Sequence, residues 1–447
     1  MKKKLNQVKT FFSKPYNILL VLFLIVLTYL VVFPLFSIVK DTFIVHSAEK
    51  SRVHQAVGTW TAYHWNRTFA SVYSKSLLYE PLAHSLVCSI SACIVAILIG
   101  GGFAWLVTRS DLRWKKVLTK LFIFPYIMPS WTLALAWKNF FKNAAVGGAT
   151  GIFTALTGIA TPNWFAYGPF PIILVTGLHY APFAYILIGG ILRNMDANLE
   201  EAAVILKTKR LRMFTRITIP MVMPAVLSTV ILVFSSAMSS FAVPQFLGLP
   251  VRYYVLTTEL YAALQGTNPG VGYILAIVMI VISVLIMLAN QMLIGKRKSY
   301  ATVTGKSANV SLFHLKKVRS LLSVLVLCLV LCMSVVPLIS FLLQSLIIIK
   351  GNYSLSNMTL DFWIGSSKGG NDVMDKAGIL INADVWKTLF NSLKLSAIVA
   401  VGAGTLGFLA GYAIVRRRGS KLSQIVENLT FIPYLIPSMA FAAIYLS

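Results

Sequence analysis

Long apolar runs, separated by short polar or basic stretches, set the pattern of this chain. They lie at Asn17–Val39, Leu86–Val107, Leu118–Trp137, Phe170–Leu192, Val222–Phe246, Val271–Ile294, Leu321–Leu343 and Leu393–Val415, with a ninth at Leu429–Leu446. A helix rises about 1.5 Å per residue and the hydrocarbon core is about 30 Å thick, so roughly 20 apolar residues cross it. Each run has about that length. The pattern predicts an all-α polytopic membrane protein.

Composition agrees, at 57% hydrophobic and 12% charged residues. The net charge of +27 raises nucleic acid as a partner, and its distribution answers that. With a cytoplasmic N-terminus, the inner segments hold 27 of the 40 lysines and arginines. That bias follows the positive-inside rule, and the opposite orientation would invert it. The basic charge is topological, which leaves membrane lipid and not nucleic acid as its partner. The protein is expected in the plasma or inner membrane, multi-pass, with its N-terminus in the cytoplasm. The first run lacks a small-residue cleavage site and reads as a retained helix. Cys88, Cys93, Cys328 and Cys332 all fall inside predicted spans, where cysteine serves as a small hydrophobe.

The chain also repeats itself. His84-Ser85-Leu86, a span, Arg109 and then Phe124-Pro125-Tyr126-Ile127-Met128-Pro129-Ser130 are answered by Asn391-Ser392-Leu393, a span, Arg416 and Ile432-Pro433-Tyr434-Leu435-Ile436-Pro437-Ser438. Val32-Phe33-Pro34-Leu35 likewise matches Val335-Val336-Pro337-Leu338. Six spans separate equivalent positions, so the copies are parallel repeats about an axis along the membrane normal. The expected organisation is a first unit of six spans over 1–295, a cytoplasmic linker over 296–319 and a second unit over 320–447. The second unit holds about three spans and ends in apolar sequence. It is therefore expected to be incomplete, and the chain truncated.

Between the fourth and fifth spans, Asp196 and Glu200-Glu201-Ala202-Ala203 suit a helix start. Lys207, Lys209, Arg210, Arg212 and Arg216 follow, and Ile217-Thr218-Ile219-Pro220 closes the stretch. The positive-inside rule explains the basic residues but not Glu-Ala-Ala with Ile-x-Ile-Pro at this distance. The stretch closely resembles the EAA loop of permeases of binding-protein-dependent ABC importers. The resemblance implies a type I importer permease fold and a short helix that docks into a groove on an ATPase subunit. There Glu201 would make the polar contact, and Ala202 and Ala203 would permit close fit. Ile217 and Pro220 match the end of the family pattern. One departure stands out: the family's glycine is Lys207. If that position is left-handed, lysine costs about 1 kcal/mol relative to glycine; the helix could instead run on through it.

The wider resemblance, including Phe241-Ala242-Val243-Pro244-Gln245-Phe246-Leu247-Gly248, is to fused two-unit ferric-iron-type permeases. It implies a non-enzymatic permease for ferric iron with ABC ATPase subunits and an extracytoplasmic solute-binding protein as partners, and no cofactor. Related fused permeases handle thiamine or aminoethylphosphonate, and those solutes stay open. An ion-coupled secondary transporter is the rival class. It is disfavoured because such carriers place charges deep in their spans, whereas Lys120 and Lys394 sit near span ends here.

Other signals are weaker. Gly305-Lys306-Ser307 imitates a phosphate loop, but Tyr300 stands where its first glycine belongs. His46, His54 and His64 share one outer segment and are expected to be solvated, with no metal site. His179, beside Pro182 in the fourth span, is a candidate for the translocation path. Ser235, Ser236, Ser239 and Ser240 form a polar stripe on the fifth span, either a packing surface or a lining of that path.

Overall fold

The computed structural model describes residues 6, 9–195, 203, 205–266, 268–295, 313–366, 377–435 and 440–442. The long helices are α1 (Pro15–Leu27), α2 (Phe33–Asp41), α3 (Glu80–Arg109), α4 (Lys115–Ile127), α5 (Ser130–Phe141), α6 (Pro169–Asn194), α7 (Ile219–Met238), then α8 (Ala242–Leu247), α9 (Leu256–Gln265), α10 (Pro269–Gly295), α11 (Arg319–Gln344), α12 (Ala383–Arg416) and α13 (Lys421–Leu435). A single π turn, Thr28–Val32, joins α1 to α2 in one long helix. Among the described residues seven helices are long and apolar enough to cross a membrane, or eight if the bent pair α4 and α5 counts as one. No strand forms there; the pairings are isolated bridges such as Ile44 with Trp60 and Ser110 with Phe313.

Two expected spans are corrected. The run Leu118–Trp137 is two helices bent by 98°. Pro129 supplies no N–H for the Pro125 carbonyl, and a residue before proline is driven out of helical geometry. Met128 is accordingly extended, with φ −68° and ψ 143°. Hydropathy misses the break because both sides are apolar. The run Val222–Phe246 also stops short, at Met238. Ser239 turns its hydroxyl back onto the Ser235 carbonyl at 2.7 Å, a contact that competes with the helix ladder.

The densest packing joins α3 to α6, and α7 lies against both. Without a hydrophobic drive inside lipid, membrane helices approach through small residues. A Cβ on Gly100 would fall 2.1 Å from the Ala181 carbonyl oxygen, and one on Gly177 would fall 2.6 Å from the Val95 side chain. Towards the basic end of this bundle, Phe103 stacks on Phe122 with ring centroids 3.9 Å apart and meets Tyr185 edge-on. The first helices reach across the chain: α1 packs on α12 and α13, and α11 packs on α4 and α5.

Candidate translocation path and coupling segment

The basic end is organised around Arg109. This residue closes α3 and is 2% exposed. Its Nη2 donates to the Leu192 carbonyl at 3.1 Å and the Met195 carbonyl at 3.2 Å. The last carbonyls of a helix have no intrahelical donor and carry partial negative charge, so a guanidinium is a fitting cap. Arg109 thereby fixes the point at which the chain leaves α6 for the Glu-Ala-Ala stretch. Its role was not read from the sequence, although its match to Arg416 in the repeat is a signal for it.

Glu201 and Ala202 lie outside the described residues. Ala203 is buried at 6% exposure, and Ile205 and Leu206 are 79% and 78% exposed. Lys207 has φ +53°, and the Thr208 N–H donates to the Ala203 carbonyl at 3.0 Å. A left-handed residue followed by that hydrogen bond is a helix stop of the Schellman kind, whose left-handed position favours glycine. The helix therefore does not run on through Lys207: the family glycine's position needs the left-handed turn, and an exposed lysine holds it. Beyond it, a π turn at Phe214–Thr218 leads into α7. Ile217 lies in that turn, and Pro220 follows in the same continuous helix; it has no N–H for the Arg216 carbonyl, just where the ladder runs in π register with the Ile219 N–H on the Phe214 carbonyl.

The same end carries a second tie. Asp111 Oδ1 accepts from the Leu315 N–H at 3.0 Å, and its Oδ2 lies 3.5 Å from His314 Nδ1 and 3.7 Å from Arg319 Nε. The Leu315 N–H, followed by His314 and Arg319, holds the Asp111 carboxyl below its usual range against the opposing effect of desolvation.

Between α3, α6 and α7, where α8 begins, lies a small cavity whose polar lining is Ser85, Cys88, Ser89, Thr176 and Ser240. Of the predicted path residues, only Ser240 lines it. Ser235 is buried on α7, Ser236 and Ser239 are half-buried, and Ser239 and Ser240 lie past the helix end. The predicted helical stripe is thus broken after Ser236. Among the described residues, the hydroxyls of Thr176, Ser235 and Ser240 are buried without hydrogen-bond partners, as is His179 Nδ1. The His179 ring lies 6.1 Å from the Tyr126 ring, centroid to centroid. Ser85, Ser89 and Thr176 were not singled out in the sequence. The spacing of Ser85 and Ser89, which puts both on one face of α3, was the available signal.

At the opposite end, the solvated reading of the outer histidines holds for His54, which is exposed, but not for His46 and His64. His64 is fully buried, and Glu49, at 1% exposure, presents Oε2 3.3 Å from His64 Nε2. Burial pushes the His64 imidazole below its usual range, against the pull of Glu49. Folding brings the two histidines together because residues 42–64 double back. Val45 N–H meets the Thr59 carbonyl at 3.0 Å, and Thr61 N–H meets that of Phe43 at 2.8 Å.

This bundle of apolar helices, with a bent pair and a capped connecting segment, has the architecture of a multi-pass membrane protein. Residues 94–299 match the family described as binding-protein-dependent transport system inner membrane component. Residues 94–299 are thus similar to permeases of this ABC class, whose fold is the type I permease fold, and the chain as a whole resembles the ferric-type permeases. It is 24% identical over 380 residues to the ferric transport system permease protein FbpB of Actinobacillus pleuropneumoniae, covering 84% of this chain and 52% of that protein. Identity is also 24% to the putative ferric transport system permease protein FbpB 1 of Haemophilus influenzae, with 84% and 57% covered. Over 174 residues it is 29% identical to the spermidine/putrescine transport system permease protein PotB of Escherichia coli, covering 38% of this chain and 62% of that protein. The chain spans about half the length of the ferric permeases it matches.

Proposed function

We propose that this chain forms the membrane path of an ATP-driven solute importer, with residues 196–220 coupling it to a separate ABC ATPase and its basic end in the cytoplasm. A soluble extracytoplasmic receptor would deliver the solute to the other end. The observation that carries this reading is the stop at Lys207. It turns the chain after Ala203 and leaves Ile205 and Leu206 exposed, downstream in sequence of the α6 end that Arg109 caps. Two adjacent large apolar side chains in water suit a partner's groove. The orphaned hydroxyls of Thr176, Ser235 and Ser240, with His179, are the candidate lining of the path, since a buried polar group without a partner is costly unless water or solute meets it. The duplicated organisation, with units at 1–295 and 320–447 joined by a linker, is part of the proposal. The crossing of α1 onto α12 and α13, and of α11 onto α4 and α5, supports it.

Ferric iron is the favoured solute, because the two ferric permeases are matched over 84% of this chain. The polyamine permease is matched over 38%. Thiamine and aminoethylphosphonate remain alternative solutes on the sequence resemblance alone, and an ion-coupled carrier is the rival class. The test is the double substitution Ile205→Asp, Leu206→Asp in the complete transporter. Membrane insertion should be unchanged while co-purification of the ATPase is lost; retained ATPase would overturn the coupling assignment. Labelled ferric iron should accumulate in cells carrying the intact transporter. Accumulation of a polyamine or a vitamin instead would overturn the solute and leave the coupling reading standing.

A further inference from the structure

We propose that His46, Glu49 and His64 form a site for a resident divalent transition-metal ion, zinc foremost, which staples residues 42–69 to the head of α10. The three side chains offer ligand atoms that all lie within 4.8 Å of one another. Two ligands on a tetrahedral zinc, each at about 2.0–2.1 Å, stand roughly 3.3–3.4 Å apart. The edge from His64 Nε2 to Glu49 Oε2 is already 3.3 Å; His64 Nε2 also lies 3.1 Å from the Ile44 carbonyl, a hydrogen bond that a metal at this nitrogen would have to replace. The other edges need to close by about 1.5 Å at most, within the reach of side-chain rotation.

Burial gives the trio its need for a cation. Glu49 and His64 are 1% and 0% exposed. Glu49 Oε1 accepts the Gly270 N–H at 3.2 Å, while Oε2 and His64 Nδ1 are buried without a hydrogen bond. A carboxylate with one backbone donor, out of water, is costly unless a positive charge joins it. Arg67, on the helix that carries His64, does not serve. It donates to the Tyr63 hydroxyl at 3.0 Å and lies over the Tyr73 ring.

The surroundings suit a metal. His46 Nε2 lies 2.9 Å from the Asp41 carbonyl. Donation there fixes the tautomer and leaves Nδ1 its lone pair, as for most metal-binding imidazoles. Gly270 makes room: a Cβ there would come within 2.6 Å of the His64 ring. The ligands come from three local elements, the stretch after α2, the 3-10 turn Ser47–Glu49 and the helix Tyr63–Phe69. The Trp65 Nε1–H donates to Thr42 Oγ1 at 3.0 Å, and Phe43 stacks on Trp60 and Trp65, holding these elements together. Two imidazoles and a carboxylate are a borderline-soft set suited to zinc, whereas a trivalent hard cation favours oxygen. None of the three lines the cavity between α3, α6 and α7, which separates this ion from a solute on that path.

The test uses the full-length protein purified in detergent without chelator, with metal content measured by plasma mass spectrometry. It is then stripped and titrated with zinc and, as a spectroscopic probe, with cobalt. Expected are one zinc per chain, four-coordinate cobalt bands, and a zinc-dependent rise in melting temperature of several degrees. Glu49→Gln and His46→Ala should weaken zinc binding about 100-fold or more, and His54→Ala, in the same segment but exposed, should bind as the parent does. Glu49→Gln keeps the side chain's shape, so it decides the matter if His46→Ala fails to fold. Substoichiometric zinc in the parent overturns the proposal. So does unchanged binding in Glu49→Gln, or retention of ferric iron in preference to zinc.

Discussion

At the basic end, the carbonyls that close α6 meet the Arg109 guanidinium, and further along the chain two apolar side chains, Ile205 and Leu206, are exposed. At the opposite end, residues 42–69 fold back on themselves through backbone bonds and stacked rings, and their one buried carboxylate sits between imidazoles. Both segments are pinned to a helix end, but for different work. The first is held at one point and presents a surface. The second buries its functional groups and presents little. On the coupling reading proposed above, a segment that transmits force is well served by a guanidinium anchor. A segment that only has to stay closed can wait for a cation.

Arg109→Met offers the sharpest way to break this contrast. It keeps much of the volume but removes two charge-assisted hydrogen bonds, each worth about 1.5–3 kcal/mol. The expected result is a fall of ten-fold or more in solute-stimulated ATP hydrolysis by the complete transporter, with the ATPase still bound. Arg109→Lys should recover part, because one ammonium nitrogen can donate to both carbonyls as the single Nη2 does, but it sits on a shorter stem. Full stimulation in Arg109→Met would mean that the start of the coupling segment needs no anchor.

Lys207→Gly should act in the opposite sense and more gently. Glycine meets no Cβ penalty at φ +53°, so the turn should gain about 1 kcal/mol. The Thr208 N–H, bonded to the Ala203 carbonyl, reports it directly: its hydrogen exchange should slow about five-fold. Unchanged exchange would show that the turn is held by a bound partner or by contacts of the lysine itself.

Much of this architecture was legible in the sequence, because lipid demands long uninterrupted apolar helices and hydropathy registers them. The 98° break was not, since Ile127 and Met128 keep the run apolar while Pro129 removes a donor. The Pro-Tyr-x-x-Pro-Ser stretch is visible in the sequence as a repeat marker, and the second proline of its first copy, Pro129, is also the breaker. The serine stripe assumed helix to the end of the apolar run, and Ser239 and Ser240 lie beyond it. The possibility of a left-handed Lys207 came from the family resemblance, whose glycine falls at that position. His46 and His64 shared a segment on the page, but their burial beside Glu49 arises from the doubling back of residues 42–64, which no local pattern announces.

The smallest expected effect concerns the second tie at the basic end, where Asp111 meets Leu315, His314 and Arg319. Its carboxyl is held below the ordinary value of 3.8, first by the Leu315 N–H. A depressed carboxyl contributes stability above its unfolded value, and that contribution is lost as pH falls through the folded one. Acidification from pH 6 to pH 3 should therefore lower the melting temperature of the parent in detergent more than that of Asp111→Asn, with the difference opening only below about pH 4. The groups are partly solvated and the pairs are screened, so the divergence should be slight and should shrink in high salt. A large divergence, or one that opens near pH 6, would mean that the basic end depends on a titrating tie, and the contrast between the two segments would have to be redrawn.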